Sequence, residues 1–600
     1  MKKSRPTSFY LRLLCQILLA VFGGYGMAVL VDIGFIYLPI QPLSAIFWGQ
    51  IASIVAFTAV ILAVFSYQIL QKNSKTHHKS SHKLNEKSNK KGYRQLMASV
   101  HTWFGVLAGW LLFVVFLMGT VSFFKDEISV WTKPELPYQS LSNDNQAISH
   151  AIGSLQRHYP NTQSWYIYPA TERYPLTQQY VKNADDRFGK PKFFDQHQQE
   201  ITHVKDSKGG EFFYRMHFDL HYLSSRTARW LVGFFAMMML IGLITGIIVH
   251  KKIFSDLFTL RLHKGQRSWL DVHNLFSVLP LPFHLMITFT GIVTLIAMYM
   301  PYGEKFANID KQTVYHQIYS FRPIKPEIAK IAKPVPMVDI DKLITQSKKT
   351  WQNPHYRITS ISVNLPNTNK SQIIIDAKPI HQIALLTEFH IYDGTTGKLL
   401  EKHTPNVSGA MANRLLVGLH EGKFANPLLR WLYFLSGMLG TAMVATGLIL
   451  WTVKRQNLAN RRHFGFFIIQ RSNISLIAGL PLAMLSFFWL NRLLPIDLAN
   501  RANWEIHGFF IIWLIATLFA FCVRPNVAWR GLLASTAIVA FCTPILNALT
   551  TNKGLLQSVK HNDWLFVGFD VFFIGLAISY FLALQIYQKS LTKNCSKIKG

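Results

Sequence analysis

Long apolar runs recur along the chain, separated alternately by short basic stretches and by two long polar segments. Each run has about 20 residues or more, the length that an α-helix needs to cross the hydrocarbon core of a bilayer. The pattern predicts ten transmembrane helices: 10–32, 44–70, 100–124, 229–250, 272–300, 429–453, 473–494, 504–523, 531–550 and 563–588. We therefore expect an all-α polytopic membrane protein.

The two long polar segments, 125–228 and 301–428, contain shorter elements. In the second, VDIDKLITQSKKTWQ has helical spacing, and three strand patterns follow: YRITSISVNL, SQIIIDAK and LLTEFHIYDGTTGKLLEKH, the last with a DGTTG turn. The first repeats this order more faintly in AISHAIGSLQRHY, SWYIYP and KFFDQHQQEITHV. Each segment is expected to form a small α+β domain outside the bilayer.

The formal net charge of +32 is concentrated in alternate short loops. These loops include KKSR at the start, the lysine-rich stretch 71–95, RLHKGQR, KRQNLANRRH and the C-terminal tail. Because basic residues are retained on the cytoplasmic side of membrane proteins, both termini are expected in the cytoplasm and both polar segments outside it. The excess charge thus reflects topology, with some attraction to anionic membrane lipid, and does not indicate nucleic-acid binding.

An internal duplication covers a helix, a polar segment and a second helix. The first helix begins with His101 in HTWFGVLAGWLLFVVFLMGT and with His273 in HNLFSVLPLPFHLMITFTGI. In each copy a glycine follows 18 residues later, at Gly119 and Gly291. The repeat therefore keeps histidine and glycine in register.

The second helix of each copy is introduced by RMHFDLHYL or RLLVGLHEG. The spacing from Arg215 to His221 equals that from Arg414 to His420. Both copies then continue with Arg-Trp and Thr-Gly: Arg229-Trp230 and Thr245-Gly246 in the first, Arg430-Trp431 and Thr446-Gly447 in the second.

The repeat divides the chain into five parts. They are an N-terminal two-helix hairpin (1–70), a basic cytoplasmic linker (71–95), a first repeat (96–255), a second repeat (256–455) and a C-terminal four-helix bundle (456–600).

Four histidines thus occupy matched positions at helix ends, where imidazole is costly without a partner. Facing helices of a bundle can each supply one axial ligand to a haem iron. We expect His101 and His273 to hold one b haem near the cytoplasmic face. His221 and His420 would hold a second b haem on the outer side, about 30 Å away.

A fifth histidine complicates this assignment. His284 lies 11 residues beyond His273, about 16 Å further along the helix and about 20° off the same face. Leu112 occupies the matched position in the first copy. His284 could be a rival outer ligand, or it could connect the two sites.

The remaining polar residues near these positions have plainer interpretations. His217, four residues before His221, is interpreted as a neighbour of the ligands or as solvent-facing, and His507 as structural. Arg229 and Arg430 either anchor their helices at the membrane interface or meet haem propionates or an anionic substrate.

The HTWFG opening, the Leu-His before the second helix, the Thr-Gly inside it and the YDGTTGK turn resemble the PepSY-associated transmembrane family. The resemblance covers roughly 95–455. It implies PepSY-like outer domains and an iron-regulated inner-membrane protein of the dihaem siderophore-reductase type, which reduces a ferric siderophore or other ferric chelate in the periplasm. The chain has no GxGxxG after a strand, so a quinol or a cytoplasmic reductase would be the electron donor.

Two other classes stay open: a transporter built from repeats, and a non-enzymatic scaffold or transporter component of iron uptake whose outer domains regulate partners. Transporters usually need broken helices or mid-membrane carboxylates, and acids are scarce in these spans. The chain contains no HExxH, GxSxG or P-loop pattern, which argues against a hydrolase. Its four cysteines include no CxxC, so covalently attached haem is not supported.

Overall fold

The computed structural model describes most of the 600 residues. The positions outside the described part are 1–6, 77–84, 138–143, 184–189, 196, 251–252, 254, 256–258, 262–263, 311–332, 352–355, 380–381, 385–386, 404–407, 457–462 and 600. Part of the expected basic linker, 71–95, therefore lies outside the described residues.

The helices of the described chain follow in order. They are α1 (Thr7–Phe35), α2 (Pro42–Thr76), α3 (Asn85–Ser122), α4 (Lys125–Trp131), α5 (Asp144–His158), α6 (Gly210–Asp219), α7 (Ser225–Val249), α8 (Gln266–Val278), α9 (Leu281–Thr294), α10 (Ile296–Tyr299), α11 (Tyr302–Phe306), α12 (Ile340–Thr350), α13 (Ser408–Glu421), α14 (Pro427–Lys454), α15 (Phe464–Leu493), α16 (Arg501–Cys522), α17 (Pro525–Thr550), α18 (Leu555–Lys560) and α19 (Trp564–Lys599).

Nine of the described helices are long and apolar enough to cross a membrane: α1, α2, α3, α7, α14, α15, α16, α17 and α19. The tenth predicted span, 272–300, is a pair of shorter helices, α8 and α9, that meet at a bend of 65°. Pro280 lies at the bend, where it has no N–H to continue the helical hydrogen bonds. The protein is therefore a polytopic membrane protein whose predicted span 272–300 is a bent helix pair and not one continuous helix.

The strands of both polar segments join in one antiparallel sheet. They are β1 (Ser164–Tyr168), β2 (Gln178–Lys182), β3 (Tyr356–Asn364), β4 (Gln372–Pro379), β5 (Glu388–Asp393) and β6 (Leu399–His403), in the order β2-β1-β3-β4-β5-β6. The expected α+β content and the turn between β5 and β6 are present, but the segments share a sheet where two separate domains were expected. Residues Ser164 and Ile167 of β1 pair with Asn364 and Ile361 of β3.

This joint sheet has a physical reason. A sheet of two strands is marginally stable alone, and an open edge exposes unpaired backbone groups. Because β1 pairs with β3, one open strand edge of each polar segment is covered. Helices α5 and α12 pack on one face of the sheet around Trp165, Ile361 and Ile375, each with no exposed surface.

The N-terminal hairpin is fastened to the second repeat by buried polar groups. The Asp32 carboxylate accepts a hydrogen bond of 2.9 Å from the backbone N–H of Gly303. The Gln50 side chain donates one of 3.0 Å to the carbonyl of Met300. Asp32 and Gln50 have no exposed surface, so α1 and α2 are held against the start of α11.

A buried ionic network fastens the C-terminal bundle to the first repeat. Arg501 and Glu505 form an ion pair whose side chains are both fully buried. The Ser207 hydroxyl, just before α6, donates a 2.6 Å hydrogen bond to Glu505. Arg492 donates to the Trp131 carbonyl at 2.8 Å and lies 3.6 Å from the centre of that indole ring. Helices α15 and α16 are thereby bound to α4 and to the entry of α6.

We predict that Glu505→Leu lowers the free energy of unfolding by about 3 kcal/mol, because it leaves the buried Arg501 guanidinium without its charged partner. Asp563→Asn is the control, since it removes the partner of Lys553 from a pair with more than a quarter of each side chain exposed and should cost at most about 1 kcal/mol. Denaturant unfolding of both variants in one detergent measures the difference. Equal losses would show that the buried network does not hold the bundle.

Candidate functional site

Four histidine rings lie directly against helical glycines. A β-carbon built on each glycine would meet the neighbouring ring at a distance shorter than ordinary van der Waals contact. The pairs and their shortest distances are Gly246 with His101 (3.3 Å), Gly119 with His217 (2.7 Å), Gly447 with His273 (3.1 Å) and Gly291 with His420 (2.9 Å). Both partners of each pair belong to the same repeat, so the two repeats position their histidines in the same way.

Each of these rings makes a hydrogen bond to the backbone of the helix that carries its glycine. The Nδ1 atoms and their carbonyl partners are His101 with Gly242 (2.9 Å), His217 with Val115 (2.7 Å), His273 with Met443 (3.0 Å) and His420 with Ile287 (3.1 Å). In every case the carbonyl belongs to the residue four positions before the glycine. Because a carbonyl only accepts, Nδ1 carries the proton and the Nε2 lone pair is left available to a ligand.

The structure brings His101 and His273 together, as the sequence predicts. Their ring centroids are 6.3 Å apart. Both rings line a cavity of about 350 Å³ that also reaches Gly109, Ser277 and Leu281. Two nitrogens bound to opposite sides of one metal ion by bonds of about 2 Å place the ring centres roughly 6 Å apart, so the spacing suits a shared iron.

The second pair differs from the expected one. His420 lies beside His217, with ring centroids 6.1 Å apart and an angle of 28° between the rings. His221 instead stacks on Phe510 at 5.6 Å. The expected juxtaposition of His221 with His420 is therefore corrected to His217 with His420, while haem ligation by His221 or any other of these residues stays a prediction.

The end of helix α6 explains this difference. α6 ends at Asp219, and the next two residues, Leu220 and His221, have left-handed backbone conformations with φ of 51° and 44°. The chain turns away at this point, so His221 leaves the helix face that carries His217. In the second repeat α13 continues through His420 to Glu421.

The chemical state of the second pair suits metal binding. Burial lowers the pKa of His217, and it lowers the pKa of His420 to about 4. Both imidazoles are therefore neutral at pH 7, the form that binds a metal. The Thr290 hydroxyl lies 3.1 Å from Nδ1 of His420 and further fixes that ring.

His284 lies on α9, on the stretch of helix between the two pairs. It is fully buried. Its Nε2 atom is 3.4 Å from the Ser436 carbonyl, and the ring lies 2.9 Å from the β-carbon position of Gly440. The edge of Phe116 approaches the ring, with centroids 6.1 Å apart. Within the described part of the chain, no second histidine lies beside His284 as His273 lies beside His101.

Arg229 and Arg430 are engaged by carboxylates of the chain itself. Arg229 binds Asp219 at 2.7 Å, and Arg430 binds Glu127 at 2.7 Å. The Nδ1 atom of His507, a residue interpreted from sequence as structural, lies 2.6 Å from the Tyr222 hydroxyl.

The two histidine pairs suit a cofactor that brings its own remaining metal ligands. Within the described residues, no group of three or more His, Cys, Asp or Glu side chains is arranged to hold a bare metal ion. Two facing imidazoles are the axial set of a six-coordinate haem iron, and glycines at the contact let a flat macrocycle and the rings approach the backbone. His101 with His273 and His217 with His420 are the residues that could hold it.

A family model described as the PepSY-associated TM region matches residues 98–454. This match covers more than half of the chain and includes all four paired histidines. No curated protein matches the chain.

The pairing can be tested by substitution. His101→Ala and His273→Ala should each remove the same haem absorption component, and His217→Ala and His420→Ala should each remove the other, because loss of either axial ligand opens one site. His221→Ala, four residues from His217, is the matched control and should leave both components. Reduced-minus-oxidised spectra of the purified variants decide it. If His221→Ala depletes a haem while His217→Ala does not, the sequence-based pairing is restored.

Proposed function

The chain belongs to the PepSY-associated transmembrane family, and on that premise we propose that it carries electrons across the membrane through two b-type haems to a ferric chelate. The observation that carries this proposal is the matched arrangement of His101 with His273 and His217 with His420. Each pair has ring centroids about 6 Å apart, and each ring presents Nε2 while Nδ1 is bound to backbone.

The two pairs lie at opposite ends of the repeat helices, so electrons would enter at one membrane face and leave at the other. Burial keeps His217 and His420 neutral, and backbone carbonyls fix the orientation of all four rings. When bound, haem supplies reversible one-electron chemistry at its iron. The span between the sites stays in a low-dielectric environment.

The basic loops support the direction of transfer. If basic loops stay in the cytoplasm, the pair of His101 and His273 would lie near the cytoplasm, and the pair of His217 and His420 would lie on the outer side with the joint sheet. We infer that the protein lies in a bacterial inner membrane with both termini in the cytoplasm. The electron donor would be a membrane quinol or a cytoplasmic reductase.

The outer pair lies beside side chains that suit a chelate. Lys423, three residues after His420, forms a 2.7 Å ion pair with Glu421 and still has 51% of its side chain exposed. Lys125 lies 4.5 Å over the ring of Tyr214. A ferric siderophore or other ferric chelate docked here would accept one electron, which converts Fe(III) to the more weakly held Fe(II).

One observation favours transport as a second candidate function. The bent pair α8 and α9 is a broken span, and broken helices form substrate or ion sites in transporters. His284 is a fully buried polar residue just beyond this break. A transporter or a regulatory scaffold would not need the two pairs of facing imidazoles.

We predict close to two b haems per chain when the protein is made with haem available, one for each histidine pair. Pyridine haemochrome analysis against protein concentration gives the ratio. A pure, folded preparation that contains no haem would exclude electron transfer of this kind and favour transport or scaffolding.

The outer pair should deliver electrons to the ferric chelate. Stopped-flow mixing of dithionite-reduced protein with several ferric siderophores should reoxidise the wild type, and the double variant His217→Ala, His420→Ala should lose this reaction while the inner haem remains reducible. His221→Ala again provides the control. If none of the chelates reoxidises the wild type faster than the double variant, the substrate or the outward direction is wrong.

A further inference from the structure

The two repeats carry different residues at the position of His284, and also at the position that its ring contacts. In the first repeat the matched position is Leu112, which packs in an apolar cluster with Met239. Met239 lies seven residues before Gly246, as Gly440 lies seven before Gly447. The second repeat thus replaces a leucine and a methionine by His284 and the glycine against which its ring lies. Packing of the repeat alone does not require this exchange.

One ring nitrogen of His284 is buried without a hydrogen bond of ordinary geometry. Its Nε2 faces the Ser436 carbonyl at 3.4 Å and can only donate there. The Nδ1 atom is buried and has no hydrogen-bond partner among the described residues, although the backbone of Ser277, beside the bend, lies near the ring. With Nε2 protonated, Nδ1 is a lone pair that can accept a proton.

A second unsatisfied polar group lies one helical turn further along α9. The Thr288 hydroxyl is buried and also has no hydrogen-bond partner within the described part of the chain. Residues four apart lie on the same helix face, so Thr288 lies on the face of α9 that carries His284. Buried polar groups of this kind are usually satisfied by an ordered water.

Along the chain, His284 lies between His273 of one histidine pair and Gly291, which contacts the other pair. Gly291, which contacts His420, lies seven residues beyond it, about 10 Å along α9. His273 lies 11 residues before it. An electron that arrives at either pair adds one negative charge inside a low-dielectric region, where an uncompensated charge is costly.

We propose, on the basis of the proposed function, that His284 takes up one proton when an electron reaches the outer site, and that Thr288 holds the water that brings this proton. Haem bound at this site would accept one electron, Nδ1 of His284 would take up one proton, and the net charge of the region would be unchanged. When the electron leaves for the ferric chelate, the proton leaves as well. His284 therefore balances the charge of the electron with a proton, and it does not bind the iron itself.

The elements packed around His284 present few competing groups. On α14 the nearest titratable residue is Tyr433, whose hydroxyl donates to the Leu419 carbonyl at 3.2 Å. On α13 the nearest titratable residue is His420, whose Nδ1 is bound to backbone. On α8 it is His273, whose Nδ1 is also bound to backbone. From α3 the ring meets Phe116, and α7 packs on α9 through apolar residues such as Leu240. Proton uptake coupled to the electron is therefore assigned to His284.

Redox titration of the purified protein between pH 6 and pH 8 tests this assignment. In the wild type the midpoint potential of one haem should fall as pH rises, by up to about 59 mV per pH unit for one proton per electron. His284→Leu, which installs the residue of the first repeat, should keep both haems and lose the slope. His284→Gln keeps a polar side chain without a titrating nitrogen and should behave like His284→Leu.

Two threonine variants refine the test. Thr288→Val should weaken the slope, whereas Thr441→Val should not, because the buried Thr441 hydroxyl is already bound to the Gly437 carbonyl. An unchanged slope in both His284 variants, or no slope in the wild type, overturns the proton assignment and leaves the electron-transfer proposal intact. Loss of a haem in both His284 variants makes His284 a ligand and also overturns it. A preparation without haem overturns the proposed function itself.

Discussion

The close approach of an imidazole ring to a helix backbone is the contact on which both histidine pairs depend. At Gly119 and Gly291 an added β-carbon would lie less than 3.0 Å from the ring, closer than carbon and nitrogen atoms can approach without displacement. The same glycines expose the carbonyl one turn earlier, which fixes Nδ1. A larger residue would push the ring away from that carbonyl and out of line with its partner histidine. The glycine contact therefore sets the distance between the helices, the tautomer of the ring and the spacing of the two rings together.

The joint sheet and the C-terminal bundle add contacts between the parts of the chain that carry this arrangement. The joint sheet ties the two repeats to each other through β1 and β3, and the Arg501–Glu505 network ties the C-terminal bundle to α6. α6 carries His217 and α13 carries His420, and both helices follow directly after the strand segments of their repeats. The bundle thus packs against the start of α6, and the sheet links the two segments that lead into α6 and α13.

Much of this could be predicted from the sequence because the membrane imposes long, regular helices. Nine of the spans, the matched histidines and the matched glycines follow from spacing along the chain, whereas the bend at Pro280 inside the predicted span 272–300 does not. His217 could not be distinguished from His221, since residues four apart share a helix face and only the end of α6 at Asp219 separates them. The joint sheet depends on pairing between segments almost 200 residues apart, which local patterns do not encode.

The two histidine pairs have similar geometry because the repeats are alike, but they have different surroundings because the repeats also differ. Two identical histidine pairs would give the electron no preferred direction, so direction requires unequal surroundings. The inner pair opens on a largely apolar cavity beneath the bend at Pro280, whereas the outer pair lies among ionised side chains such as Glu421 and Lys423. The bend and His284 occur only in the second repeat. Duplication therefore supplies the geometry of the paired histidines, and divergence of one copy supplies the asymmetry that the proposed electron transfer would need.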